Sequence, residues 1–481
     1  MSKIITSTFI YTGTNLITAL SAFILLPIYT SYLSNEEFGI ISAMQTLAAI
    51  FTILMTLAVE QSIFRLYHDF ESNEKKKIFL GSIFTSILII GVIVIILSFI
   101  GSDYISLIFP SVNFYNYYVY TILYAFTTGI FIFLKNIQQL NLKAGSFALL
   151  SLSNFFLIAF FTLYYLILKN EGAEGYVKAM LWGSLFSIVP ALWLSKKYFY
   201  FNINWLYLKQ SIKYSAPMLP SLLSAWVLNL SDRIFIDNNL SQSELGIYSL
   251  AFRISSIILL ASAAFYTAYT PVFFDQATNR PEKEAKSFLS NANSIIISFI
   301  GMVSLVIFLF SKELLILFFE PRYFSSEPLI RMFCFSFFIS QITGLLNLMF
   351  YQRKNTGLVT LSILISAIFN IFLNALLIPR FGLEAAVIVN ILSNIINFLI
   401  LLYYSNSKYS YYIKFPSKIL ISFLGIMFLL YYGLPYLSTI SDMQIFVVKL
   451  FIFIVILVFL FYIYRNIIRN IFIQAFNIHK K

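Results

Sequence analysis

Asn229, Arg233 and Asp237 stand at i, i+4 and i+8 in an otherwise apolar stretch, with Trp226 three residues before Asn229. On an α-helix this spacing gathers them on one face, and Arg253 follows in the next apolar stretch. A planar guanidinium suits two-pronged contact with oxyanions, and Asp237 is placed to orient Arg233 and moderate its charge. Asp232 projects about 100° further round the helix, toward a separate contact. Two readings compete. Either the arginines line a wet cavity, or they snorkel to a nearby membrane surface, with Arg233 as a plain helical partner of Asp237. The first is carried forward, because an intramembrane ionisable residue is costly and is a functional candidate by default. Glu60 and Arg65 are read as candidates for a gate, weighed against an ordinary solvated helix end. Pro217 and Pro220 interrupt the backbone ladder just before the arginine-bearing stretch and are read as a hinge.

These residues need elements to hold them, and the composition says which. Of 481 residues, 60% are hydrophobic, 19% aromatic and 11% charged, whereas a soluble domain is about a quarter charged. The chain therefore reads as an all-α, polytopic membrane protein. One cysteine and two histidines allow no intramolecular disulfide and no Cys/His metal cluster, and no catalytic, cofactor or metal residues are expected. The formal charge of +12 is assigned to topology rather than to nucleic acid. The N-terminal stretch reads as a membrane helix, not a removable leader.

Windows of about 20 apolar residues place spans at about 9–32, 38–59, 78–100, 116–134, 146–168, 176–194, 215–237, 246–270, 293–310, 329–350, 357–378, 383–403, 417–434 and 443–464, fourteen in all. With both termini cytoplasmic, 23 of the 32 Lys and Arg fall in inside segments and 6 outside, as the positive-inside rule requires. Lys312, Arg322 and Arg331, after the ninth span, are its one strain. Arg233, Arg253 and Lys449 remain within spans, Lys449 as a snorkelling anchor. Tyrosines at 115–120 and 409–412 fit interface belts.

The chain also repeats itself. Residues 33–42 read LSNEEFGIIS and residues 240–249 read LSQSELGIYS, an offset of 207. Weaker matches join Gly172 to Gly382 and Lys143 to Lys354, at nearly the same offset. Ser and Glu three residues apart suit a capping box, which makes Glu37 and Glu244 turn caps, and the glycine admits a close turn. Six spans per copy is an even number, so the copies share one orientation, a parallel repeat of the kind found in transporters. The expected bounds are 1–200 for the first six spans, 201–404 for the second six, and 405–481 for spans thirteen and fourteen with a tail.

Leu26 to Gly39 (LPIYTSYLSNEEFG), Tyr214 to Pro220 (YSAPMLP), Ser231-Asp232-Arg233 and Glu244 to Ser249 (ELGIYS) resemble the motifs of Wzx-type polysaccharide (O-antigen repeat-unit) flippases, in the polysaccharide transporter family of the MATE/MOP exporter superfamily. The resemblance implies two six-helix lobes set as a V around a central cavity, plus two appended helices. It further implies an undecaprenyl-diphosphate-linked oligosaccharide moved from the inner to the outer leaflet of the cytoplasmic membrane by alternating access. A coupling ion, H+ or Na+, a polysaccharide polymerase and a chain-length regulator are the partners such a role invites. Under that reading, Arg233 and Arg253 meet the diphosphate or acidic sugars. The alternative is a multidrug or metabolite cation antiporter on the same scaffold. An enzyme is not expected.

Overall fold

The computed structural model describes residues 2–110, 112, 114–279, 281–407, 416–434 and 441–478. Arg280, Lys408, Lys414, Lys480, Lys481 and the tyrosines at 409–412, used above for topology and interface belts, lie outside them. Among the described residues the secondary structure is helical: α1 (Ser2–Tyr32), α2 (Asn35–Thr56), α3 (Val59–Leu66), α4 (Asn73–Ile100), α5 (Ser102–Ser106), α6 (Phe114–Leu140), α7 (Ala144–Leu163), α8 (Gly172–Ser195), α9 (Trp205–Ser215), α10 (Leu219–Leu230), α11 (Asp232–Asn239), α12 (Gln242–Ser255), α13 (Ile257–Asn279), α14 (Glu282–Leu309), α15 (Ser311–Phe318), α16 (Glu327–Gln352), α17 (Thr356–Ser407), α18 (Ser417–Gly433) and α19 (Asp442–Ile478).

Eleven stretches among the described residues are long and apolar enough to cross a membrane, against the fourteen spans expected. The difference has three sources. The expected seventh span is cut into α9, a 3-10 turn at Ala216–Met218, α10 and α11, each too short alone. The eleventh and twelfth are two helices that run on from one another as α17, with a kink between them at Gly382 (φ 66°, ψ −147°), and are counted as one stretch. The thirteenth, α18, has only 17 residues.

The chain divides into two compact units, one of residues 1–250 with 363–393 and the other of 251–362 with 394–481. In the first, α2 starts as the motif dictates. Ser34 caps it by accepting from Glu37 N at 3.1 Å, and the Glu37 carboxylate accepts from Ser34 N at 2.8 Å. The same box closes α12, with Ser241 Oγ accepting from Glu244 N at 3.2 Å and Glu244 accepting from Ser241 N at 3.1 Å. Each removes free amides from a helix start. The core beneath is built from α3, α4, α6, α7 and α8. Phe79, Ile83, Phe133, Leu134 and Ile137 are fully buried there, and Phe84 stacks on Phe133 at 5.6 Å. In a bilayer, close packing and interhelical hydrogen bonds hold such a bundle, since lipid is as apolar as the side chains. Ser231 Oγ donates to Asn370 Oδ1 at 3.2 Å, and the Asn390 amide donates to Leu228 O at 2.8 Å. These bonds tie α10 and its C-terminal end to α17.

In the second unit, α14 packs on α13 and α16, and α18 and α19 lie against α14. Lys449 does not snorkel as expected. It is 1% exposed, and its ammonium donates to both Glu313 oxygens at 2.7 and 2.9 Å. Lys312 pairs with Asp442 at 2.7 Å and Arg331 with Glu327. Two of the cations that strained the charge rule, Lys312 and Arg331, thus have local carboxylate partners. Charge counting along the chain cannot see this compensation.

Candidate functional site

The two copies of the repeated turn meet each other. A methyl group on Gly39 would lie 2.0 Å from the Gln242 carbonyl oxygen, and one on Gly246 would lie 1.9 Å from that of Asn35. Gly246 is Gly39 plus 207 and Asn35 is Gln242 minus 207, so the two contacts exchange the copies and the interface is self-complementary, as at a two-fold axis. Ser42 and Ser249 are equivalent positions, and Ser249 Oγ donates to Ser42 Oγ at 2.6 Å, on that axis. Only glycine lets the backbones come this close.

Arg233 is threaded into this contact. It is 4% exposed. Its Nε donates to Ser42 Oγ at 3.0 Å, and its Nη1 donates to Asn229 O at 2.7 Å and to Asp232 Oδ1 at 3.2 Å. The guanidinium carbon lies 5.9 Å from the centre of the Tyr248 ring, and the Tyr248 hydroxyl donates to the other Asp232 oxygen. Asp232 also accepts from Arg233 N at 2.9 Å, as a short polar side chain at a helix start often does. Two turns before Arg233, Trp226 Nε1 donates to Thr46 O at 3.2 Å. Arg233, Asp232, Tyr248, Ser42 and Ser249 therefore form one buried ionic and hydroxyl cluster joining α11, α2 and α12.

The structure sorts the sequence candidates as follows. Arg233 and Asp232 are brought together, with Asp232 as the ion-pair partner; Asp237, 3% exposed, accepts from the Gln242 amide. Asn229 is exposed, and its amide donates to Ala225 O at 2.7 Å, so only its backbone carbonyl serves Arg233. Arg253 lies in the last turn of α12, half-buried, in the second unit. Pro217 falls in the 3-10 turn joining α9 to α10, and Pro220 is the second residue of α10. Glu60 and Arg65 part company. The Arg65 side chain is 60% exposed and pairs with Asp69 at 2.5 Å, which raises its pKa, first through the hydrogen bond and then through the charge. Glu60 is 6% exposed, its Oε2 has no hydrogen-bond partner among the described residues, and burial raises its carboxyl pKa. It follows a helix break at Leu57 and Ala58, both left-handed with φ of 46° and 56°, a conformation costly for residues with a side chain.

Sequence reasoning missed Tyr248, Ser42 and Ser249 as members of the arginine cluster. Their signal was present: both serines and the tyrosine belong to the repeated motif, and the repeat makes the two serines equivalent.

The profile of the MatE family matches residues 217–376. A protein of the Lsg locus of Haemophilus influenzae is 24% identical over 385 residues, covering 76% of this chain and 90% of its own. The probable low-salt glycan biosynthesis flippase of Haloferax volcanii is 23% identical over 42% of each chain. Among solved structures, the lipid II flippase MurJ in its inward closed conformation shares the fold, with a TM-score of 0.71 at 16% identity over 96% of this chain and 98% of its own. The profile of the polysaccharide biosynthesis protein family matches residues 4–277, more than half the chain and the whole of the arginine cluster. With its repeated turns, capping boxes and helical bundles, this chain belongs to the polysaccharide biosynthesis protein family.

Proposed function

We propose that this protein is a flippase that carries undecaprenyl-diphosphate-linked oligosaccharide repeat units from the inner to the outer leaflet of the cytoplasmic membrane, for assembly of a surface polysaccharide. Carriage proceeds by alternating access, with no covalent chemistry. The observation that carries this reading is the self-complementary contact of the repeated turns with Arg233 buried in it. A contact built of glycine backbones, two serines and one ion pair is small and polar, so it can open and re-form without exposing a large apolar surface. We assign it the role of the lock that shuts one side of the pathway, on the outer side by the topology expected from the charges. When the lock opens, Arg233 is freed to meet the diphosphate as the sequence reading expects, and Arg253 is the second candidate for that contact. The prolines at 217 and 220 supply the joint about which the arginine-bearing segment turns.

Family membership and the names of the relatives support the cargo class. Depleting the protein from its host should make lipid-linked repeat units accumulate on the cytoplasmic leaflet; an unchanged distribution between leaflets overturns the reading. A second reading, a cation antiporter, draws on the MatE match over residues 217–376. It predicts altered resistance to cationic compounds on depletion, with the glycolipid distribution unmoved.

A further inference from the structure

We infer that the N-terminal helices hold a second binding site, separate from the arginine cluster, for a small carboxylate of about the size of a uronic acid. The site is a partly open cavity of about 270 Å³ lined by α1, α6, α7 and α8. Its one ionisable cation is Lys135, and no Asp or Glu lines it. Lys135 closes no ion pair among the described residues; its ammonium lies 5.3 Å from the centre of the Phe147 ring, which shelters a cation without neutralising it. The Ser151 hydroxyl, on a residue 9% exposed, also lines the cavity and has no hydrogen-bond partner among the described residues. Asn154 lines the cavity as well, its side-chain oxygen 3.0 Å from Ser187 Oγ. An unmet buried hydroxyl beside an unpaired cation is costly, and an anion that accepts from both removes the cost.

The size and charge of the cavity select the anion. Pockets for drug-sized ligands measure about 300–1,000 Å³, so the occupant is smaller than these, though larger than a halide. One lysine balances one negative charge; a phosphate monoester brings about 1.5 to 2 at neutral pH and leaves an excess in an apolar bundle. A carboxylate brings one. Tyr29 and Tyr176, edge to face at 5.7 Å, with Phe131 and Phe155, give apolar walls for the C–H faces of a ring, while Asn15 offers an amide to its hydroxyls. The site stands apart from the flippase reading, and its test measures binding, not transport.

The purified full-length protein in detergent is titrated with sodium glucuronate at constant ionic strength, with glucose as the neutral counterpart. Glucuronate is expected to bind and glucose not. Lys135→Met should weaken glucuronate by about tenfold or more, the worth of a charged hydrogen bond. Ser151→Ala should weaken it by a smaller factor, and keeps the test decisive if the lysine variant does not fold. Lys143→Met, on the exposed end of the following loop, should leave affinity unchanged. Equal binding of glucuronate and glucose, no binding of either, or Lys135→Met and Ser151→Ala both within about twofold of the unaltered protein overturns the proposal. Competition by a lipid-linked glycan bearing a uronic acid, but not by its neutral analogue, identifies the cargo as the source of the carboxylate. Lack of competition by both identifies a free solute.

Discussion

Arg233 gives up its freedom in exchange for four contacts: Ser42, Asn229 O, Asp232 and the Tyr248 ring. Breaking a buried ion pair by removing one partner costs about 3–5 kcal/mol, because the other charge stays buried. Arg233→Ala should therefore lower stability by about that amount in detergent unfolding, and a loss under about 1 kcal/mol would contradict the cluster as described. Arg233→Lys keeps the charge but lacks the fork that reaches Ser42 and Asp232 together, so it should recover only part of the loss. Glu60 gives a prediction in pH. Its folded-state pKa is raised by burial, so its neutral form favours the fold, and that stability is lost as pH rises through the folded value. Glu60→Gln should raise the melting temperature at neutral pH, with the gain fading as pH falls toward the ordinary glutamate value of about 4.3. An equal gain at both pH values would contradict the raised pKa. The buried arginine was legible in the sequence because a cation inside an apolar run stands out. Its partner was not. Asp232 begins α11 and turns onto the backbone N–H of Arg233, where the helical wheel no longer governs direction.

At the scale of elements, the repeated turn was the most readable feature. The capping boxes at Ser34 and Ser241 formed as the spacing required, because both partners lie within four residues of each other. That the two copies touch could not be read from either alone, since it depends on how the chain returns. The contact makes a symmetric prediction. Gly39→Ala and Gly246→Ala each push a methyl into a backbone carbonyl at about 2 Å, so both should slow cell-surface polysaccharide assembly to a similar degree. One variant matching the unaltered protein would break the symmetry. Breaks in the helices were less legible. Leu57 and Ala58 turn left-handed with neither Gly nor Pro at the position, so composition gave no warning. The joint at Ala216–Met218 was signalled by its two prolines, although the hydropathy window ran across it. Replacing both, Pro217→Ala with Pro220→Ala, should slow transport if the joint is a hinge; unchanged transport removes that role.

For the molecule as a whole, 60% hydrophobic and 11% charged residues fix the membrane class before any motif is considered. The central claim is that the contact between repeated turns must open for cargo to pass. Ser42 and Ser249 stand 2.6 Å apart at their hydroxyls, and the sole native cysteine, Cys334, is buried, so a Ser42→Cys, Ser249→Cys protein can be locked by oxidation and released by reduction. Flipping of a fluorescent lipid-linked oligosaccharide is measured in proteoliposomes containing this variant, in both states. The account predicts that the disulfide abolishes flipping and that reduction restores it. Full flipping with the disulfide demonstrably formed would contradict it.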